Sequence, residues 1–126
     1  MANLMTIYEN FKKALLRLEE VLNLPEKNEI IRDSAIQRFE FTFDLAWKTL
    51  KVYLEEQFGV ICKSPKGCFR EAFYQGILPY DEYWLEICNY RNLTSHLYAE
   101  EMAEKLWLEL PKILHYFKKL ADLLAK

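Results

Sequence analysis

The sequence predicts an all-α fold, an up-and-down bundle of about five helices with a long central second helix and a kinked last helix. Three observations predict it. Only three glycines and four prolines occur in 126 residues, too few turn formers for a fold of many short strands. Apolar residues recur at spacings of three and four over long stretches, the period of a helix face. The composition, 52% hydrophobic and 29% charged, is that of a chain able to bury a core, and its length suits a single domain over 1–126.

The first segment, LMTIYENFKKALLRLEEVLNL, sets Leu4, Ile7, Phe11, Ala14, Leu18 and Val21 on one stripe, and Pro25 ends it. The second helix is predicted from about Asn28 to Phe58, roughly 45 Å at the usual rise, with Gly59 to stop it. Phe39, Phe43, Ala46, Leu50 and Tyr53 lie on one flank, and Phe41, Leu45 and Trp47 lie on others. That breadth marks a central helix covered by several neighbours, with Trp47 as a core anchor. Ser64-Pro65 reads as an N-cap followed by proline at N1, opening a short helix that stops at Gly76. Asp81 can cap the fourth helix, DEYWLEICNYRNL, in which Trp84, Ile87 and Cys88 face the core. The last helix runs from about Ala99 to Leu124, and Pro111 should kink or break it.

A formal charge of −2 leaves no broad electrostatic footprint for nucleic acid, so RNA would need a local site or a partner's surface. The three cysteines, Cys62, Cys68 and Cys88, are odd in number and no signal-peptide pattern precedes them. They read as reduced thiols of a cytoplasmic protein. Without a CxxC and with two well-separated histidines, neither a zinc site nor another cofactor is expected. Charges interrupt every apolar run before a membrane span could form.

One stretch departs from the helical pattern. NYRNLTSHLY, residues 89–98, places Arg91, Asn92, Thr94, Ser95, His96 and Tyr98 within eight positions. Arg91 and Tyr98, seven apart, share a helix face, and Asn92 and His96, four apart, share the adjacent one. Arg91 and His96 would point about 140° apart on an unbroken helix. They converge only if the helix ends near Thr94–Ser95 or if two chains build the site across a dimer axis. The residue types suit phosphate chemistry. Arginine supplies a permanent forked donor, and histidine titrates near neutrality. An asparagine can hold a phosphate or fix the imidazole. Spacing alone leaves another account open, in which Arg91 and His96 complement the helix dipole and Tyr98 is a boundary aromatic.

RNLTSHLY has the R-N-x3-H-x-Y form of the HEPN superfamily. QRFEFTFDLAWKTLK (37–51), SPKGCFREAF (64–73) and WLEICNYRNLTSHLY (84–98) resemble its nucleotidyltransferase substrate-binding branch, in order and over essentially the whole chain. The resemblance implies an all-α homodimer paired with a separate, small nucleotidyltransferase chain, often as a toxin–antitoxin system. It also implies similarity to the substrate-binding helical domain of aminoglycoside nucleotidyltransferases. Carried over, Arg91 and His96 would be the catalytic pair, Asn92 the polar residue beside them and Tyr98 the acceptor of AMP from the partner. The main functional reading is a substrate-binding-type subunit that serves the nucleotidyltransferase. The alternative is a metal-independent endoribonuclease toxin acting on RNA through Arg91 and His96, silenced by AMP on Tyr98.

The remaining candidates have plainer accounts. Lys63, Lys66 and Arg70 flank the start of the third helix, where an anion could sit, but a solvated basic face explains them as well. Glu55-Glu56 and Glu100-Glu101 read as solvated surface, although the second pair could contact a basic partner. His115 reads as a core-edge residue, and Cys68 and Cys88 as small buried hydrophobes.

Overall fold

The computed structural model describes residues 3–96 and 99–125, with the side chain of His96 outside the described set. Its helices are α1 (Leu4–Leu22), α2 (Glu29–Phe58), α3 (Pro65–Tyr74), α4 (Tyr83–Leu93) and α5 (Glu100–Leu124), with a 3-10 turn at Thr94–His96. Among the described residues there is no strand, and no helix is long and apolar enough to cross a membrane.

The caps explain most boundaries. Asn3 Oδ1 accepts from the amides of Met5 and Thr6, and Asn28 Oδ1 accepts from Ile31. Ser64 Oγ accepts from Gly67, with Pro65 at the start of α3. Each bond satisfies an amide that has no partner within its own helix. The expected cap of α4 is displaced by one residue: the cap position is Glu82, whose side chain makes no capping bond, and Asp81 just before it accepts from Tyr83 N through Oδ1 at 2.9 Å. Gly59 ends α2 in the left-handed region (φ 67°), where a side chain would strain the backbone. Pro111 costs α5 one hydrogen bond but does not end it, so the helix continues to Leu124.

α1, α2 and α5 pack against one another, α3 packs on α2, and α4 joins α3, α2 and α5. Phe117 of α5 is the hub. Its ring meets Phe11 of α1 edge-on at 6.3 Å, Phe39 of α2 at 6.2 Å and Trp84 of α4 at 6.3 Å. The closest seam, α1 on α2, has buried threonines on the α2 side. Thr42 and Thr49 are fully buried, and their hydroxyls bond back to the carbonyls of Arg38 and Leu45 at 2.7 and 2.6 Å.

Several expectations change. Trp47 is only partly buried, with the Lys51 ammonium 5.8 Å from its ring centre, because it stands beside the inward stripe of α2. The buried tryptophan is Trp84, 3% exposed and stacked on Phe69 at 4.7 Å. Phe41 is 57% exposed, since it lies about 200° around the helix from buried Phe39. His115 is exposed rather than at the core edge.

The cysteines are the largest correction. Cys62 and Cys68 form a disulfide, their Cα atoms 5.2 Å apart. The segment after α2 folds back on the first turn of α3, which brings the two thiols together in a buried position. Three reduced thiols, and the argument they gave for a cytoplasmic location, do not hold. Cys88 is the free and buried one, and burial pushes its thiol up to about 12 against the opposing pull of Lys66 and Arg70.

Candidate functional site

The polar stretch begins where α4 stops. Arg91 and Asn92 occupy the last turn of α4, and the chain then tightens into the 3-10 turn Thr94–His96. Local chemistry favours that change. Thr94 Oγ1 lies 2.7 Å from the Arg91 carbonyl, and Ser95 Oγ donates to the Asn92 carbonyl at 3.1 Å. These bonds compete with continuation of the helix. The break falls at the residues where convergence of Arg91 and His96 required one. Asn92 is exposed. The His96 imidazole and all of Tyr98 lie outside the described residues.

Arg91 meets two acids from α2. Its Nε donates to Asp44 Oδ1 and its Nη2 to Asp44 Oδ2, both at 3.1 Å, a fork-on-fork pair. Its Nη1 donates to Glu40 Oε2 at 3.2 Å and to Thr94 Oγ1 at 2.8 Å. Glu40 and Asp44 are four apart on α2, so both face α4. The Asp44 hydrogen bonds raise the Arg91 guanidinium above its usual range, burial opposes that, and the charges of Asp44 and Glu40 add to it. The side chain is 26% exposed, so one guanidinium is shared by two carboxylates at the edge of solvent.

On the far side of the motif a second arginine does a different job. Arg32 is 3% exposed and grips Glu100 with Nη1 at 2.6 Å and Nη2 at 3.2 Å. It also reaches Glu104 at 3.2 Å and Asp33 at 3.0 Å. Glu100 leads this cluster, its hydrogen bonds raising the Arg32 guanidinium and lowering its own carboxyl. Glu100 is therefore an ion-pair anchor and not only solvated surface. α2 thus fixes both the end of α4 and the start of α5. Between these clusters lies a recess of about 280 Å³, walled by Arg32, Gln37, Glu40, Thr94, Glu100 and Ala103 among others.

Sequence reasoning did not pick out Glu40, Asp44 or Arg32. A signal was present, since Glu40 and Asp44 are the two acids of QRFEFTFDLAW, at one-turn spacing among the aromatic residues of the second helix. Lys63 and Arg70 are exposed and Lys66 is partly buried beside the capped start of α3, as a solvated basic face would be.

Comparison with known proteins bears on this arrangement. The family described as nucleotidyltransferase substrate binding protein like matches residues 6–126. The Haemophilus influenzae protein named Probable ribonuclease HepT is 30% identical over 84 residues, which cover 64% of this chain and 58% of that protein. The match thus spans less than two thirds of that relative's length. A crystal structure of a Thermus thermophilus protein superposes with a TM-score of 0.87 at 36% identity, covering 92% of this chain and 99% of the other. The match over residues 6–126, with the motif at the break after α4, places the chain in the nucleotidyltransferase substrate-binding-protein-like family of the HEPN superfamily.

Proposed function

We propose that this chain is a metal-independent endoribonuclease, working beside a separate nucleotidyltransferase that silences it, in the manner of a toxin and its antitoxin. The kinship with the Haemophilus protein favours this alternative over the plain substrate-binding reading. The observation that carries it is the helix break at Thr94–His96 within the R-x4-H stretch, whose arginine is already oriented by hydrogen bonds.

In this reading the His96 imidazole takes the proton of an RNA 2′-hydroxyl, and the 2′-oxygen attacks the adjacent phosphorus. The bond from phosphorus to the 5′-oxygen breaks, and that oxygen receives the proton back from the His96 imidazolium. The products are a 2′,3′-cyclic phosphate and a 5′-hydroxyl end. Arg91 faces the charge that builds on the non-bridging oxygens, and Asn92 holds the phosphate or the imidazole. Two copies form a homodimer that brings their motifs together, with at least about 1,200 Å² buried in total.

Silencing follows from charge. When the Tyr98 oxygen attacks the α-phosphorus of ATP on the partner, pyrophosphate leaves and an AMP group stays on the motif. Its phosphate competes with RNA for Arg91. The test is cleavage of a single-stranded RNA by the purified chain. His96→Ala should abolish it at unchanged helicity, and equal cleavage by that variant would sink the reading. Tyr98→Phe should gain no AMP mass on co-expression with the partner and should escape silencing.

A second reading keeps one observation in its favour. Two carboxylates already occupy Arg91, as suits a structural pin in a subunit that serves its nucleotidyltransferase without cutting RNA.

A further inference from the structure

The four hydrogen bonds of Arg91 are not equivalent. Asp44 takes the Nε–Nη2 edge with both of its oxygens, the arrangement that fixes a guanidinium plane. Glu40 takes only Nη1, with a single oxygen, and shares it with the Thr94 hydroxyl. That hydroxyl has one hydrogen to give. It lies 2.7 Å from the Arg91 carbonyl and 3.2 Å from Glu40 Oε2, so its hold on Glu40 is the weaker one. Glu40 and Thr94, though not Arg91 itself, help wall the recess beside the motif, so an anion arriving there meets the Glu40–Thr94 side of the guanidinium, with Nη1 behind it.

We propose that Glu40 is a placeholder: its carboxylate sits on Arg91 Nη1 and Thr94 Oγ1 where an RNA phosphate oxygen binds, while Asp44 is the positioning residue that keeps the guanidinium aimed there. This rests on the ribonuclease reading for the identity of the ligand, though not for the seat itself. The exchange is one for one at the donor: one anionic oxygen leaves Nη1 and another takes its place, with no proton moved. Glu40 then turns toward solvent, which its side chain, 30% exposed, can do without unpacking the core. Asp44 stays. With both carboxylates in place the local charge is one negative unit, so free anions are held off and only a ligand with further contacts displaces Glu40. The seat would therefore favour a polyanion over a lone phosphate.

The two carboxylates should thus respond in opposite directions, which simple loss of negative charge cannot produce. Glu40→Gln should tighten binding by about two- to fivefold, the range of partly exposed ion pairs. Asp44→Asn should weaken it, since an amide offers one acceptor where the guanidinium needs two. Binding is read by fluorescence anisotropy with a labelled single-stranded RNA carrying 2′-O-methyl groups, which cannot be cut. The same variants are titrated with inorganic phosphate, followed on the Arg91 Nε–H resonance, and melts confirm that each is folded. Opposite signs in the binding of the uncleavable RNA support the seat even if no RNA is cleaved, in which case the ribonuclease reading alone fails. Tightening by both variants would mean bulk charge only and would overturn the proposal. So would indifference to Glu40→Gln, or weakening by it.

Discussion

Asp44 Oδ1 and Oδ2 accept from Nε and Nη2 of Arg91 at the same distance, 3.1 Å, across 47 residues of sequence. The motif arginine is held by the central helix before any substrate arrives. Replacement by lysine is therefore not conservative, because an ammonium cannot span both oxygens and also reach Glu40 and Thr94. Arg91→Lys should stay helical yet lose RNA cleavage nearly as fully as Arg91→Ala. Wild-type cleavage rates in Arg91→Lys would show that only the charge matters.

The same pair should be measurable in stability. Arg91 and Asp44 are 26% and 38% exposed, between surface and buried pairs. A double-mutant cycle with alanine at both positions should return a coupling of about 1–2 kcal/mol. A value near zero in urea melts would make the contact incidental to the fold.

Trp84 and Trp47 should separate clearly. Trp84 stacks on Phe69 and touches Tyr116 and Phe117, so Trp84→Ala should cost about 3–5 kcal/mol. Trp47→Ala removes a ring that is only partly buried and should cost less than half as much. The reverse order in a denaturant titration would place the core elsewhere.

Thiol labelling tests the disulfide. In denaturant without reductant, iodoacetamide should modify Cys88 alone, and after reduction all three cysteines. Folded chain should resist labelling at Cys88, whose thiol, at about 12, is protonated and buried. Closing so short a loop should contribute about 2 kcal/mol that reduction removes. Three labelled cysteines in unreduced denatured chain would show that no bond forms.

Asp81 makes stability depend on acid. The Tyr116 hydroxyl at 2.6 Å, and then the Tyr83 amide, hold its carboxyl below the usual range. A carboxyl lowered by folding stabilises fully above its unfolded value, about 3.9. That contribution is lost as pH falls through the lower folded value. Wild type should therefore lose more stability than Asp81→Asn as pH drops from 5 to 2. Parallel curves would mean that the charged form has no advantage in the fold.

Each helix was legible because its signals are local. Asn28, Gly59 and Ser64-Pro65 act on backbone groups within a few residues, and the Phe11–Leu18–Val21 stripe needs only helical periodicity. The end of α4 was legible for the same reason, since the hydroxyls of Thr94 and Ser95 bond to carbonyls three residues back. The tertiary structure alone decided what those elements meet. Which of Trp47 and Trp84 is buried depends on how many helices close over each. The Cys62–Cys68 bond depends on how the loop before α3 turns back. Arg91 finds Asp44 and Glu40 because α4 crosses α2 at that height, 47 and 51 residues away in sequence. Periodicity assigns a residue to a face, but only packing brings a second face against it.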